Sequence, residues 1–123
     1  MHIDHINIRA PMSTLEVERR FFCDIFNFNV GFRPECNDRG YWLYDNDSAV
    51  IHLTESDRNT INERSGCFDH VVFKHTEFCP FIKNLSDFDI SYSKSNIPEL
   101  GITQVFLGSP AGLRIEVIFS YVE

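Results

Sequence analysis

The sequence predicts an α+β fold that contains two tandem copies of one strand-helix-strand-strand-strand module. Residues 3–8 and residues 68–73 both place an aspartate and a histidine ahead of alternating apolar residues. Two further apolar segments, residues 51–53 and residues 115–117, follow them at nearly the same interval. A repeated pattern of this kind is typical of duplicated supersecondary units, which pack together to bury apolar surface that neither buries alone.

The matched positions of the two copies carry side chains that bind metal ions. His52 follows His5 by 47 residues in the first copy, and Glu116 follows His70 by 46 residues in the second. Because side chains alternate across a strand, each of the four points away from its apolar neighbours and toward a polar-lined cavity. Imidazole and carboxylate groups suit Zn, Ni, Fe, Mn or Co and leave open positions for water or substrate. The repeat therefore predicts a divalent metal site as well as a fold.

In the first module, about residues 1–56, a strand over residues 2–8 leads into an amphipathic helix. Ser13 followed by Glu16 is a capping-box pattern that predicts the helix start, and Asn27 predicts its end. The apolar residues of the helix share one face, formed by Leu15, Phe22, Ile25 and Phe26 with Phe21 beside them. Alternating residues and intervening turns predict three more strands, over residues 28–32, 40–44 and 48–54.

Residues 57–66 are polar and lack periodicity, which predicts a linker between two modules of one domain. The second module, about residues 67–123, restarts with a strand over residues 67–74. A helix over residues 76–88 tolerates Pro80 in its first turn and points its apolar residues inward; these are Phe78, Phe81, Ile82 and Leu85. The remaining strands are predicted over residues 90–93, 103–107 and 113–121.

Length and charge restrict the class of protein. The chain has 123 residues, enough for one domain with a hydrophobic core of its own. Its 11 Lys and Arg residues against 18 Asp and Glu residues give a net charge of -7, which argues against nucleic acid or an acidic membrane surface as partners. No segment has the pattern of a secretory signal or a bilayer-spanning helix. We therefore expect a cytoplasmic protein that acts on a small molecule, with four reduced cysteines that lack zinc-finger or redox spacing.

Together these features resemble the vicinal oxygen chelate superfamily, which includes glyoxalase I, methylmalonyl-CoA epimerase, fosfomycin-resistance transferases and extradiol dioxygenases. The resemblance covers nearly the whole chain and rests on residues 4–6, 40–44, 51–53, 69–71 and 104–117. It implies that paired βαβββ modules form a curved mixed sheet around a divalent metal ion and a substrate cavity. It also implies that the metal ligands are His5, His52, His70 and Glu116.

The chain departs from glyoxalase I in ways that affect the predicted chemistry. His52 stands where glyoxalase I has a glutamate, so proton shuttling between two carboxylates is not available. By resemblance, Glu116 is then the principal catalytic residue, with His70 as fourth ligand or displaceable base. Arg9 resembles the arginine that glyoxalase I uses for the glutathione carboxylate, although an exposed charge at a strand end is the alternative interpretation. The asparagine and glycine expected nearby are absent from residues 54–57, so glutathione is not predicted as the substrate.

Four residues are candidates for substrate binding, namely Arg9, Trp42, Tyr44 and Phe106. Strand alternation places Trp42 and Tyr44 on one face. Aromatic residues of this kind can line an apolar substrate pocket. Packing within the core is the alternative interpretation for the aromatic residues.

The leading functional prediction is a metal-dependent lyase or isomerase that stabilises an enolate or oxyanion of a small oxygen-rich substrate. An Fe(II) extradiol-type dioxygenase is an alternative, although such enzymes of the superfamily usually have twice as many modules. A metal-free binding protein similar to bleomycin-resistance proteins is another, although those proteins generally lack this ligand set. A fosfomycin-type thiol transferase also stays open, but its basic and potassium-binding loops are not evident. By resemblance, two modules imply a homodimer, with module pairing either within or across subunits.

Overall fold

The computed structural model describes residues 1–57 and 67–121, and these two stretches belong to two compact units. Each unit contains four strands and one helix. Apart from Asp57, the predicted linker lies outside the described residues. No helix in the described part of the chain is long and apolar enough to span a membrane.

The first unit is a βαβββ module. Its elements are β1 (Ile6–Ala10), α1 (Met12–Phe26), β2 (Asn29–Gly31), β3 (Gly40–Asp45) and β4 (Ser48–Glu55). The strands form one sheet in the order β1-β4-β3-β2, in which β1 is parallel to β4 and the other neighbours are antiparallel. Strand β4 therefore carries His52 between Asn7 on β1 and Trp42 on β3.

The second unit repeats this plan. Its elements are β5 (Val71–His75), α2 (Phe78–Asp87), β6 (Ser93–Ile97), β7 (Ile102–Gly108) and β8 (Arg114–Ser120). The strand order β5-β8-β7-β6 has the same parallel and antiparallel neighbours as the first sheet. Strand β8 carries Glu116 between Val72 on β5 and Phe106 on β7. The predicted α+β class and the repeat of the βαβββ module are confirmed.

Helix α1 has the predicted buried face. Its buried residues are Leu15, Glu18, Phe21, Phe22, Ile25 and Phe26. Asn27 ends the helix in the left-handed conformation, with φ of 58°, as predicted. The predicted capping box is wrong, because the carbonyl of Pro11 accepts the first helical hydrogen bonds and Ser13 lies inside the helix.

The predicted strand over residues 90–93 is misplaced, because strand β6 occupies Ser93–Ile97 and shares only Ser93 with the prediction. A turn after α2 occupies the preceding residues. Asp89 adopts a φ of 55° in this turn, and the amide of Ile90 donates a hydrogen bond to the carbonyl of Leu85. The hydrogen-bonded turn holds these residues out of the sheet.

The first strand of each module also begins later than predicted. Strand β1 begins at Ile6 and β5 begins at Val71, since the parallel ladders with β4 and β8 start there. His5 and His70 therefore lie immediately before their strands rather than within them. This position frees both histidines from the strict alternation of strand side chains.

Candidate functional site

In the first unit, the structure brings His5 and His52 into contact. Their ring centroids lie 3.6 Å apart with an angle of 11° between the planes. The indole of Trp42 stacks on His52 as well, with centroids 4.0 Å apart. His5 and Trp42 cannot both stack on the same face of His52 at these distances. The ring of His52 therefore lies between the rings of His5 and Trp42. Its exposed fraction is 7%.

His52 is held as a neutral imidazole. Burial lowers the pKa of His52 below its usual range, and the neighbouring His5 lowers it further. The Nε2 atom of His52 is buried and has no hydrogen-bond partner within the described part of the chain. Because Nε2 has no partner among the described residues, the hydrogen bond between the ring and the backbone of Ala49 is made by Nδ1. Nε2 is left with a lone pair, the form of imidazole that binds metal ions.

In the second unit, the structure brings His70 and Glu116 into contact. The Nε2 atom of His70 lies 3.1 Å from Oε1 of Glu116. The side-chain amide of Gln104 donates a hydrogen bond to the other carboxylate oxygen, also at 3.1 Å. Glu116 has an exposed fraction of 7%, so both oxygens of a buried carboxylate are positioned by neighbouring side chains.

His70 lies between two carboxylates. Its Nδ1 atom lies 2.6 Å from Oδ2 of Asp69, and its Nε2 atom faces Glu116. A neutral imidazole carries one N–H and can donate to only one of these carboxylates. A metal ion bound to Nε2 of His70 and to Glu116 would replace the contact between them.

Each of the two repeated histidines has an aspartate partner. Nδ1 of His5 lies 2.8 Å from Oδ2 of Asp4, which matches the contact between His70 and Asp69 in the second unit. The hydrogen bond with histidine is the largest cause of a lowered pKa in both aspartates. An ionised carboxylate on Nδ1 orients the ring and leaves Nε2 for a ligand, as in many metal-binding histidines.

A cleft of about 710 Å³ opens beside the histidines of the first unit. Trp42 and Tyr44, both predicted to bind substrate, line this cleft together with His5 and His52. The hydroxyl of Tyr44 donates a hydrogen bond of 2.6 Å to the carbonyl of Phe32. The ring of Tyr44 is therefore fixed at the cleft wall.

The other two predicted substrate residues lie elsewhere. Arg9 is exposed on β1, where its nearest ion-pair partner is Asp38 at 3.9 Å. Phe106 lies beside His70 in an edge-on arrangement, with centroids 6.5 Å apart. It also lines a shallow groove of about 350 Å³ with Arg114. Phe106 therefore lies next to a predicted ligand, whereas Arg9 does not line the cleft of its unit.

The candidate ligands form two pairs, His5 with His52 and His70 with Glu116. Within residues 1–57 and 67–121, no three His, Cys, Asp or Glu side chains form a group that could hold a metal ion. The stacked rings of His5 and His52 also do not aim their lone pairs at one point. His5 precedes β1 and is 36% exposed, so its ring can turn without disturbing the sheet. The donor types and the buried Nε2 of His52 fit a divalent ion.

Solved structures share this fold over almost the whole chain. A glyoxalase family protein from Bacillus anthracis has a TM-score of 0.77 at 21% identity, over 98% of this chain and 95% of that one. A lactoylglutathione lyase from Agrobacterium tumefaciens has a TM-score of 0.67 at 16% identity, over 96% and 92%. A variant of the fosfomycin resistance protein FosX from Listeria monocytogenes, complexed with Mn(II) and 1S,2S-dihydroxypropylphosphonic acid, has a TM-score of 0.73 at 12% identity, over 98% and 93%.

The chain has the fold of the vicinal oxygen chelate superfamily. The resemblance predicted from the sequence is confirmed at the level of this fold. No protein-family model matches the sequence, and no curated protein matches it.

Three residues of this vicinal oxygen chelate fold contact the candidate ligands but were not predicted to do so: Asp4, Asp69 and Gln104. The contacts of the two aspartates could have been predicted from the sequence, because each aspartate directly precedes a histidine in the repeat. No sequence pattern indicated the contact of Gln104. Its contact with Glu116 depends on the antiparallel register of β7 and β8.

Proposed function

We propose that this protein is a divalent-metal-dependent lyase or isomerase that stabilises an enolate or oxyanion of a small oxygen-rich substrate. The observation that carries the proposal is the repeated Asp–His pair. In both units an aspartate engages Nδ1 of the histidine, which leaves Nε2 to bind a ligand. The buried Nε2 of His52, without a partner among the described residues, supplies a third nitrogen donor.

Four side chains would hold the ion, namely His5, His52, His70 and Glu116. A bound divalent ion of Zn, Ni, Fe, Mn or Co would act as a Lewis acid toward vicinal oxygens of the substrate. Three imidazoles and one carboxylate give the site one negative ligand. The FosX structure with Mn(II) and a dihydroxypropylphosphonic acid supports metal and vicinal-oxygen binding in a protein with this fold.

Glu116 is the residue best placed to move a proton. Its carboxylate is buried, accepts a hydrogen bond from Gln104 through one oxygen, and lies 3.1 Å from Nε2 of His70 through the other. A carboxylate positioned in this way can take a proton from carbon and return it. His70 would receive the proton from Glu116 or hold Glu116 in place.

The substrate would enter beside aromatic side chains. Trp42 and Tyr44 line the cleft of the first unit, and Phe106 lies beside His70 in the second. We further propose that the protein works as a cytoplasmic homodimer, which light scattering on the purified chain would test.

The test is metal reconstitution followed by an assay of proton exchange. The chelator-stripped protein is loaded in turn with Ni²⁺, Zn²⁺, Mn²⁺ or anaerobic Fe²⁺. Each sample then receives a panel of α-hydroxyketones and hemithioacetals in D₂O, and loss of the C–H signal is followed by NMR. We expect exchange that requires a metal and falls by about 100-fold or more in Glu116→Gln.

The exposed Glu99 provides a matched control, since Glu99→Gln removes the same charge from the surface of the same unit. Undiminished exchange in Glu116→Gln would exclude Glu116 as the base. Oxygen consumption that depends on Fe²⁺ would instead favour the dioxygenase.

A metal-free binding protein is the second candidate, and the stacked rings favour it. Trp42 and His52 are parallel at 4.0 Å beside a cleft of about 710 Å³. A flat ligand could extend this stack without any metal ion. Quenching of Trp42 fluorescence by a flat aromatic probe, with no uptake of metal, would support this candidate against the enzyme.

A further inference from the structure

We propose that Arg114 is a positioning residue that acts through Asp69 to hold His70 with its Nε2 atom directed at Glu116. This inference rests on the proposed function, because it assigns a role to a residue outside the ligand set. The contact of Arg114 in this region is with Asp69. The effect of Arg114 on the candidate site would pass through the carboxylate that Arg114 and His70 share.

His70 and Arg114 contact the same oxygen atom of Asp69. Oδ2 of Asp69 lies 2.6 Å from Nδ1 of His70 and 3.2 Å from Nη1 of Arg114. Arg114 is on β8, two residues before Glu116, and therefore shares a sheet face with Glu116. The guanidinium also lies over the ring of Phe106, with its central carbon 5.5 Å from the centroid. The ring and the carboxylate together restrict the guanidinium.

The anchor acts on a largely exposed side chain. Asp69 precedes β5, so no ladder hydrogen bond of that strand holds it, and its side chain is 66% exposed. A carboxylate this exposed loses rotational freedom when it binds a histidine, and water competes for the same hydrogen bond. Arg114 therefore holds the carboxylate of Asp69 in place beside His70.

The first module has no counterpart of Arg114, although Asp4 still lies 2.8 Å from Nδ1 of His5. Residues 51 and 115 are matched in the two parallel ladders, so the position matched to Arg114 is Val50, which cannot bind a carboxylate. The side chain of Asp4 is 87% exposed. Its histidine, His5, stacks on the neighbouring ligand residue. In the second module, the histidine faces its partner through Nε2 instead.

The test uses full-length, metal-free protein labelled with ¹⁵N-histidine. The Nδ1–H signal of His70, assigned by its loss in His70→Asn, should exchange slowly with water in the wild type. Arg114→Met keeps the apolar stem of the side chain and removes the charge. We expect this variant to speed the exchange by about tenfold, and we expect Arg114→Lys to restore part of the protection, since an ammonium can still pair with Asp69.

Arg39→Met is the matched control. Arg39 is also exposed and also pairs with a carboxylate, that of Glu55 at 2.6 Å, but it belongs to the other unit. The Arg39→Met variant should leave the exchange rate of the His70 Nδ1–H signal unchanged. Equal protection in wild type and Arg114→Met, or no protection in the wild type, would overturn the proposal. So would an equal loss in Arg39→Met.

A second arm uses Zn²⁺ as the probe in calorimetric titrations. Asp69→Asn should weaken Zn²⁺ binding by about tenfold, and Arg114→Met should weaken it by about threefold. In the Asp69→Asn background, Arg114→Met should have no further effect, because Arg114 acts through Asp69. An additional loss there would contradict the proposal. If the wild type binds no Zn²⁺, Ni²⁺ or Mn²⁺, the proposed function fails, while the NMR arm still decides the role of Arg114.

Discussion

The two modules share one strand plan but use their paired site residues differently. In the first, the ring of His5 stacks on that of His52 at 3.6 Å. In the second, Nε2 of His70 faces Oε1 of Glu116 at 3.1 Å. Duplication of the backbone brings the same two positions together in both modules. The side chain on the central strand then decides whether the pair stacks or meets edge-on through polar atoms.

A second difference lies on the neighbouring strand. Gln104 on β7 donates to Glu116, and the matched residue of the first module is Gly40 on β3. A Cβ atom at Gly40 would lie 1.9 Å from the carbonyl oxygen of Leu53. No side chain fits there, so the first module leaves His52 without the donor that Glu116 receives in the second.

The helices also differ. Helix α1 buries six residues, whereas α2 buries Phe81 and Leu85. The two modules therefore bury different amounts of apolar helix surface against similar sheets. Removing one ring from each helix measures this difference directly.

The largest effect is expected from Phe22→Ala. Phe22 is fully buried, with the rings of Phe21, Phe26 and Phe28 around it. We expect a loss of about 4 kcal/mol in the free energy of unfolding, and about 3 kcal/mol for Phe81→Ala in α2. Urea unfolding reports on the first module through the fluorescence of the single tryptophan and on the whole chain through circular dichroism.

Val17→Ala controls for the loss of an exposed helical side chain in α1. Its effect should stay within about 0.5 kcal/mol. A larger loss from Phe81→Ala than from Phe22→Ala would contradict the ranking of the two helices.

A smaller effect is expected from Gly40→Ala. The added methyl group would meet the backbone carbonyl of Leu53, which a side-chain rotation cannot relieve. Overpacking of this kind costs about 1 to 3 kcal/mol. Gly108→Ala is the matched control in the second module, because its Cβ would meet nothing closer than 4.0 Å. Equal urea midpoints for the two variants would refute the steric explanation for the missing donor.

The smallest effect is expected from His52→Phe and appears as a change in pH dependence. The pKa of His52 is lowered in the folded protein, so below about pH 6.5 the unfolded chain binds more protons at this residue. Stability should therefore fall as the pH drops from 7.5 to 5.5. Phe keeps a stacked ring without a titrating group, so the variant should lose less stability over this range.

Urea midpoints measured in the presence of a chelator test this prediction. The exposed His2 serves as the control, and His2→Phe should leave the pH dependence unchanged. An identical fall in wild type and His52→Phe would show that His52 is not held as a neutral imidazole.

Much of the fold could be predicted from the sequence, because the repeat and the alternation of apolar residues depend on local pattern. The buried face of α1 and its end at Asn27 followed from helical spacing and a left-handed residue. The start of β6 did not, because the turn around Asp89 depends on hydrogen bonds to the end of α2. The capping-box pattern at Ser13 was misleading, because the carbonyl of Pro11 accepts hydrogen bonds from the amides of Thr14 and Leu15.

The pairing of candidate ligands within each module was also predictable, since matched strands are adjacent in the sheet. The partners of those ligands were not. In a regular strand, Asp4 and His5 would point to opposite faces and could not bond. They meet because both residues precede the strand. The error in the strand boundary and the unrecognised role of Asp4 therefore have one cause.

The most direct test of the account measures metal content in variants of each module. Purified untagged wild type, His5→Ala, Glu116→Gln and the control Glu99→Gln are loaded with Ni²⁺, Zn²⁺, Mn²⁺ or anaerobic Fe²⁺, desalted, and analysed by inductively coupled plasma mass spectrometry. If His5, His52, His70 and Glu116 hold one ion, the wild type and Glu99→Gln will retain about one ion per chain. Each of the other two variants will then retain almost none. A wild type that retains no metal would contradict the proposal that these four residues hold one ion. So would a wild type that binds two ions, of which each single variant keeps one.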